Sequence, residues 1–130
     1  MAESPHTVVL TKENFDQVIE ENDIVFIDFW AEWCGPCRAF KPIFAAAAAR
    51  HPEVTFATCD TEAQPELAAA FQIRSIPTLA IFRDKILLYA QPGMLPAEAL
   101  DDLVQQVKAL DMEKIRAEIA AREQAAAANA

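Results

Sequence analysis

The chain has 130 residues, 53% of them hydrophobic, and a formal net charge of −9. That length and apolar content suit one domain with a sizeable core and a possible appendage. The acidity argues against nucleic acid as a partner, no apolar run approaches a membrane span, and the N-terminal MAESPHTVV lacks the positive and apolar regions of a secretory signal.

Thr7 to Leu10 is a short β-prone run, suited to an edge strand. Thr11 is a suitable N-cap for a helix over Lys12–Glu20, in which Phe15, Val18 and Ile19 share a face. Asn22 and Asp23 break the pattern. Ile24 to Trp30 is apolar without strict alternation, as in a central strand covered on both faces. Asp28 is the odd residue there. Either its carboxylate escapes to solvent at a strand end, or it is a buried acid beneath the cysteines that follow. The second reading is preferred: burial raises a carboxyl pKa and lets the group exchange protons with a thiol. Asp28→Ala is then expected to stabilise the fold and slow disulfide exchange.

Trp33-Cys34-Gly35-Pro36-Cys37 follows, with a helical pattern after it. Cys34 falls at the mouth of that helix, where backbone N–H groups favour an anion, and a thiolate is the anion that attacks disulfides. Cys37 lies one turn further on nearly the same face, so the pair can close a small ring. Cys34 is the expected exposed nucleophile, and Cys37 the thiol that resolves the mixed disulfide. Pro36 has no N–H to lose and a fixed φ, so the first helical turn tolerates it. The helix is expected to reach about Arg50, burying Phe40, Ile43 and Phe44 and kinking at Pro42; a helix ending at Lys41 is the alternative.

His51-Pro52-Glu53 reads as a turn and Val54–Cys59 as a second strand. Three cysteines make no disulfide framework, so a reducing, cytoplasmic setting is expected, with Cys34–Cys37 as a transient bond. Cys59 reads better as a small buried side chain than as a second redox thiol. Pro65 opens a short helix through Phe71. Leu79–Phe82 and Ile86–Ala90 form a hairpin around Arg83-Asp84-Lys85, and Gln91-Pro92-Gly93 is a turn. Gly93, one of 2 glycines, marks a special or closely approached backbone. A helix from Pro96 carries the stripe Leu100, Leu103, Val104, Val107 and Leu110. Beyond it, Asp111 either caps a new helix stapled by Leu110 and Ile115, or the same helix runs on. A solvated helical tail is preferred to a docked one, whose contacts would be Met112, Ile115 and Ile119; Ala125 to Ala130 is expected to fray.

The string Asp28-Phe29-Trp30-Ala31-Glu32-Trp33-Cys34-Gly35-Pro36-Cys37, then Pro42, Ile76-Pro77-Thr78 and Gly93, resembles the thioredoxin family over residues 7–110. The resemblance implies an α/β thioredoxin fold. Its central mixed sheet would have about five strands flanked by about four helices, with residues 111–130 a helical extension to the 1–110 domain. It implies a protein-disulfide reductase with a redox-active Cys34–Cys37 disulfide, Cys34 attacking, Cys37 resolving and Asp28 as the buried proton-transfer acid. Trp33, Gly35, Pro36, Ile76, Pro77 and Gly93 would line the substrate groove, with Ile76–Pro77 cis. The implied partners are disulfide-bearing proteins and thioredoxin reductase. No cofactor would bind this chain, and electrons would come from NADPH through that flavoprotein. A monomer is expected, without nucleic acid or membrane partners.

The sequence departs from the family in four places. The family often has a lysine near the buried aspartate on the third strand, and Phe56 is read as occupying that place. Ser75 stands where a glycine commonly precedes Ile-Pro. Lys85 replaces the hairpin glycine, leaving Asp84 or Lys85 to take an unusual φ. The tail beyond Asp111 has no counterpart. Two other functions compete with the reductase. One is a chaperone-like or docking module using the groove and the tail, which would survive loss of both cysteines. The other is a metal site on Cys34 and Cys37, for which Cys59, His6 and His51 lack paired ligand spacing.

Overall fold

The computed structural model describes residues 4–129; residues 1–3, where the N-terminal reading begins, and Ala130 lie outside the described residues. The elements are β1 (Thr7–Val9), α1 (Phe15–Glu21), β2 (Ile24–Trp30), α2 (Gly35–Arg50), β3 (Thr55–Asp60), α3 (Pro65–Ala70), β4 (Thr78–Arg83), β5 (Ile86–Pro92), α4 (Ala97–Ala109) and α5 (Met112–Ala128). The strands form one sheet in the order β1-β3-β2-β4-β5. β1 and β2 run parallel to β3, while β4 is antiparallel to β2 and β5. This is the mixed five-stranded thioredoxin fold, with a fifth helix at the C-terminus.

The unbroken apolar run of β2 has the expected cause. Phe26 packs with Phe40, Phe44, Phe56, Leu100 and Val104 on one face of the sheet. Val25, Ile27 and Phe29 pack with Leu10, Ile19 and Leu67 on the other. The Phe26–Phe56 and Phe44–Phe56 ring centroids lie 5.1 and 5.0 Å apart, contacts worth about 0.5–1.5 kcal/mol each beyond area burial. Because strand side chains alternate, Asp28 faces the same side as Phe26, toward α2. It is 1% exposed, so the carboxyl does not reach solvent.

The structure corrects several expectations. The first helix starts at Phe15 rather than Lys12. Thr11 and Asn14 instead bond each other reciprocally, Thr11 N–H to Asn14 Oδ1 at 2.7 Å and Asn14 N–H to Thr11 Oγ1 at 3.2 Å, which closes a turn before the helix. The strand after the cysteines, expected at Val54–Cys59, is shifted one residue, to Thr55–Asp60. More consequentially, Phe56 is not beside Asp28. The β2–β3 register sets Phe56 against Phe26 and Thr58 against Asp28. α2 continues through Pro42, whose missing N–H costs the Arg38 carbonyl its helical partner. Asp84 and Lys85 both take the unusual backbone, at φ 52° and 70°.

The tail is a separate helix. Asp111 caps it, its side chain accepting from Lys114 N–H at 3.2 Å. It also contacts the body more than a solvated tail would. Met112 is buried, Ile115 and Ile119 are half-buried facing Ile86, Leu87 and Leu88 across a groove, and Arg116 pairs with Asp84 at 3.2 Å. Arg83 Nη1 donates to Val107 O at 2.7 Å and Leu110 O at 3.0 Å, holding the α4–α5 corner on the hairpin. Among the described residues no helix is long and apolar enough to cross a membrane.

Candidate active site

The cysteines lie where β2 hands over to α2. Cys34 is the N-cap residue, with extended backbone at φ −91° and ψ 112°. Its sulfur accepts the Cys37 N–H at 3.1 Å, as a capping oxygen would. The same bond, with the first-turn amides behind it, stabilises negative charge on Cys34 once the ring is open. Cys34 and Cys37 are disulfide-bonded, with Cα atoms 5.2 Å apart. Pro36 occupies the first turn, where it removes no helical bond. Gly35 is exposed, and a Cβ there would meet nothing closer than Arg38 Nη2 at 3.9 Å.

The expectation of an exposed Cys34 needs correction. Cys34 is 4% exposed and Cys37 2%, so access does not distinguish them. Their hydrogen bonding does, since Cys34 Sγ alone receives the helix amide. Trp33 is the open residue, 68% exposed, with its indole N–H donating to Glu62 Oε1 at 2.8 Å. Glu62 was not legible in the sequence, because a loop 29 positions downstream meets Trp33 only through the fold.

The Ile76–Pro77 peptide is cis, as the resemblance implies. Ile76 O lies 3.7 Å from Cys34 Sγ, so this loop forms a wall of the cysteine site. Gly93 N–H donates to Pro77 O at 2.8 Å and has φ +105°, a conformation L side chains rarely adopt. Trp33 and the cysteines at the start of α2, Ile76 and Pro77 before β4, and Gly93 after β5 thus come from three separate stretches of the chain.

Asp28 lies beneath. It lines a cavity of about 10 Å³ with Trp30, Glu32, Cys37, Arg38, Lys41 and Thr58, roughly the room of one water molecule. Burial pushes the Asp28 carboxyl up to about 7, with the Lys41 ammonium pulling the other way. Its Oδ1 meets no hydrogen-bond donor. Lys41 was also missed as a site residue, although it stands one helical turn beyond Cys37. Its Nζ lies 4.9 Å from the Trp30 ring centroid.

Cys59 is fully buried, and burial, with Asp60 and Asp28 adding, pushes its thiol up to about 12. It stays a thiol at neutral pH and is inert by that measure. Among the described residues no three His, Cys, Asp or Glu side chains converge to hold a metal ion. His51 is engaged elsewhere, with Nε2 2.7 Å from Asp101 Oδ1.

The family model described as Thioredoxin matches residues 6–109. A putative thioredoxin 2 of Streptomyces coelicolor is 55% identical over 114 residues, which are 88% of this chain and 85% of that protein. A thioredoxin of Mycoplasma pneumoniae is 36% identical across 77% of this chain and 98% of its own. Among solved structures, a mutant thioredoxin from Halobacterium salinarum superposes with a TM-score of 0.76 at 30% identity, covering 85% of this chain and 99% of its own. A helix-capping cysteine joined to its neighbour one turn on, set in this fold, places the chain in the thioredoxin family as a thiol–disulfide oxidoreductase working through Cys34 and Cys37.

Proposed function

We propose that the protein reduces protein disulfides, with Cys34 attacking, Cys37 resolving and Asp28 moving the proton between them and solvent. The observation that carries this reading is the pair of contacts on one sulfur: Cys34 Sγ takes the Cys37 amide at 3.1 Å and lies 3.7 Å from Ile76 O in the cis-proline loop. The Cys34 thiolate attacks one sulfur of a substrate disulfide. The Cys34–substrate bond forms, the substrate S–S bond breaks, and the departing thiolate takes a proton from solvent. Cys37–SH then gives its proton to the Asp28 carboxylate, and the Cys37 thiolate attacks Cys34 Sγ. The Cys34–Cys37 bond forms, the second substrate thiolate leaves and is protonated, and the substrate has gained two electrons that the cysteine pair lost.

Trp33, Gly35, Pro36, Ile76, Pro77 and Gly93 would form the substrate groove, offering an open indole and a peptide backbone rather than a charged pocket. The oxidised pair is regenerated by NADPH through a flavoprotein thioredoxin reductase, a step that rests on family membership. The same membership, with the single buried free thiol, supports a cytoplasmic monomer. The test couples NADPH oxidation to reduction of a disulfide-bearing protein by a bacterial thioredoxin reductase. NADPH consumption that requires this chain and vanishes in Cys34→Ser/Cys37→Ser is expected. No consumption with the wild-type chain would contradict the proposal.

A further inference from the structure

The chain between α3 and the cis peptide borders a second cavity, next to the uncharged groove over the cysteines. Its volume is about 160 Å³, and Pro92 of β5 closes one side. That is room for a side chain, where the space beside Asp28 takes one water. The segment is held at both ends. Ile73 N–H donates to Ala68 O at 2.9 Å and Gln72 N–H to Ala69 O at 3.0 Å, with Gln72 at φ 55°, so α3 closes in a left-handed cap. Further on, Thr78 Oγ1 donates to Ser75 O. Half-buried Phe71 and Ile73 supply the apolar part of the cavity, and exposed Arg74 and Ser75 the polar part.

Arg74 is the one charged residue that lines it. It pairs with no carboxylate among the described residues. The cations on α2 near the cysteines are engaged: Arg38 donates to Glu32 O at 2.8 Å, and Lys41 lies over the Trp30 ring. The Trp33 flank, by contrast, carries exposed Glu32 and Glu62. The surface around the cysteines is therefore polarised, with an unpaired guanidinium on the cis-proline loop and carboxylates beside the indole.

We propose that this cavity is a side-chain subsite for the substrate, in which Arg74 selects proteins bearing an aspartate or glutamate two or three positions from the half-cystine that Cys34 attacks. The inference rests on the reading of Cys34 as the attacking sulfur, and it names the substrate class which that site takes. Ile76 O lies 3.7 Å from Cys34 Sγ, so a substrate sulfur bonded to Cys34 sits against the same loop. Arg74 precedes Ile76 by two residues. An extended chain advances about 3.3 Å per residue. A substrate lying along the loop thus brings the side chain two or three positions from its half-cystine to the cavity.

There the methylenes of the acidic side chain meet Phe71 and Ile73, and its carboxylate meets the Arg74 guanidinium and the Ser75 hydroxyl. The planar fork of an arginine suits a carboxylate, which it binds through two parallel N–H donors. Ser75, one of the departures from the family pattern, supplies a hydroxyl that a glycine would lack. On a chain of net charge −9 a basic side chain has many places to rest and a carboxylate has few. The contact therefore fixes the direction in which the substrate lies as well as its identity.

The test uses the full chain in its reduced form and symmetric peptide disulfides that differ at one position. That position holds Glu, Gln or Lys and lies two, three or six residues before or after the half-cystine. The readout is the ratio of second-order reduction rates, Glu peptide over Lys peptide. For at least one placement two or three residues away, the ratio should fall about fivefold from wild type to Arg74→Gln. It should fall further in Arg74→Glu and be partly kept in Arg74→Lys. Salt at about 0.5 M should shrink the wild-type ratio toward that of Arg74→Gln. A ratio that Arg74→Gln leaves unmoved, or that changes equally with the test residue six positions away, would overturn the subsite while leaving the attack by Cys34 intact. Reduction that persists in Cys34→Ser would overturn the attack itself.

Discussion

Asp28 and Thr58 face each other across the parallel β2–β3 pair, and no donor reaches Asp28 Oδ1. The strand beside the acid thus supplies no charge. The acid is held in place by the strand that carries it rather than by a partner, and its cost to the fold varies with pH.

That cost has a definite sign. In the unfolded chain an aspartate loses its proton at about pH 4; in the fold Asp28 does so only at about 7. Between these values the native state holds the extra proton. The contribution of Asp28 to stability is therefore full below about pH 4, falls as pH rises toward about 7, and is level above it, with a total loss on the order of 4 kcal/mol. In urea unfolding of the disulfide form, the stability of the wild type relative to Asp28→Asn should show this fall. At pH 8, Asp28→Ala should be more stable than the wild type, even after the small void it leaves, and should exchange disulfides more slowly. Lower stability with unchanged exchange would contradict the assignment.

The two glycines should respond differently to alanine. At Gly93 the space is open but φ is +105°, so Gly93→Ala should cost about 1–2 kcal/mol through backbone strain. It should also weaken substrate reduction, because the Gly93 N–H braces Pro77 O. Gly35 has ordinary φ and room for a methyl group at the start of α2, so Gly35→Ala should leave the unfolding midpoint within about 0.5 kcal/mol of the wild type. Thermal unfolding of the two variants side by side checks both.

The α5 contacts concentrate on one residue. Met112 is 5% exposed, so Met112→Ala should cost about 2 kcal/mol. Residues 1–110 are proposed to fold without α5. Ending the chain at Leu110 should lower stability by a similar amount and leave the exchange rate unchanged, because the α5 contacts fall on Asp84 and the Ile86–Leu88 end of the hairpin, not on the Thr78 end next to Pro77. Calorimetry and a disulfide-reduction assay on the shortened chain check the two halves separately.

The direction of the chemistry should appear in the reduction potential. Equilibrating the Cys34–Cys37 couple in thiol buffers, followed by Trp30 and Trp33 fluorescence, should give a value near about −270 mV, as for a cytosolic reductant. A value above roughly −200 mV would mark an oxidant or isomerase instead.

The cysteine site was legible because its parts are local. Cys34, Pro36 and Cys37 fall within one helical turn, and the apolar run of β2 fixes where that turn begins. The Asp111 cap was legible for the same reason. What the sequence hid depends on register or on loops meeting in space. Placing Phe56 beside Asp28 was an error of two residues along β3, which only the pairing of β2 with β3 could correct. Glu62 reaches Trp33, and Arg83 reaches the end of α4, across separations that carry no periodic signal. Met112 was among the contacts expected of a docked tail, but the contact of α5 with the hairpin was underread because Ile115 and Ile119 make a thin seam and the anchoring Arg116–Asp84 pair lies outside it.

The central claim is that Cys34 attacks and Cys37 resolves. The direct measurement is to mix reduced Cys37→Ser protein with a disulfide-bearing protein and look for a covalent adduct by mass spectrometry under non-reducing conditions. The account predicts a stable adduct through Cys34, released by dithiothreitol, and little or none from Cys34→Ser. An adduct formed equally well by Cys34→Ser, or none from Cys37→Ser, would contradict it.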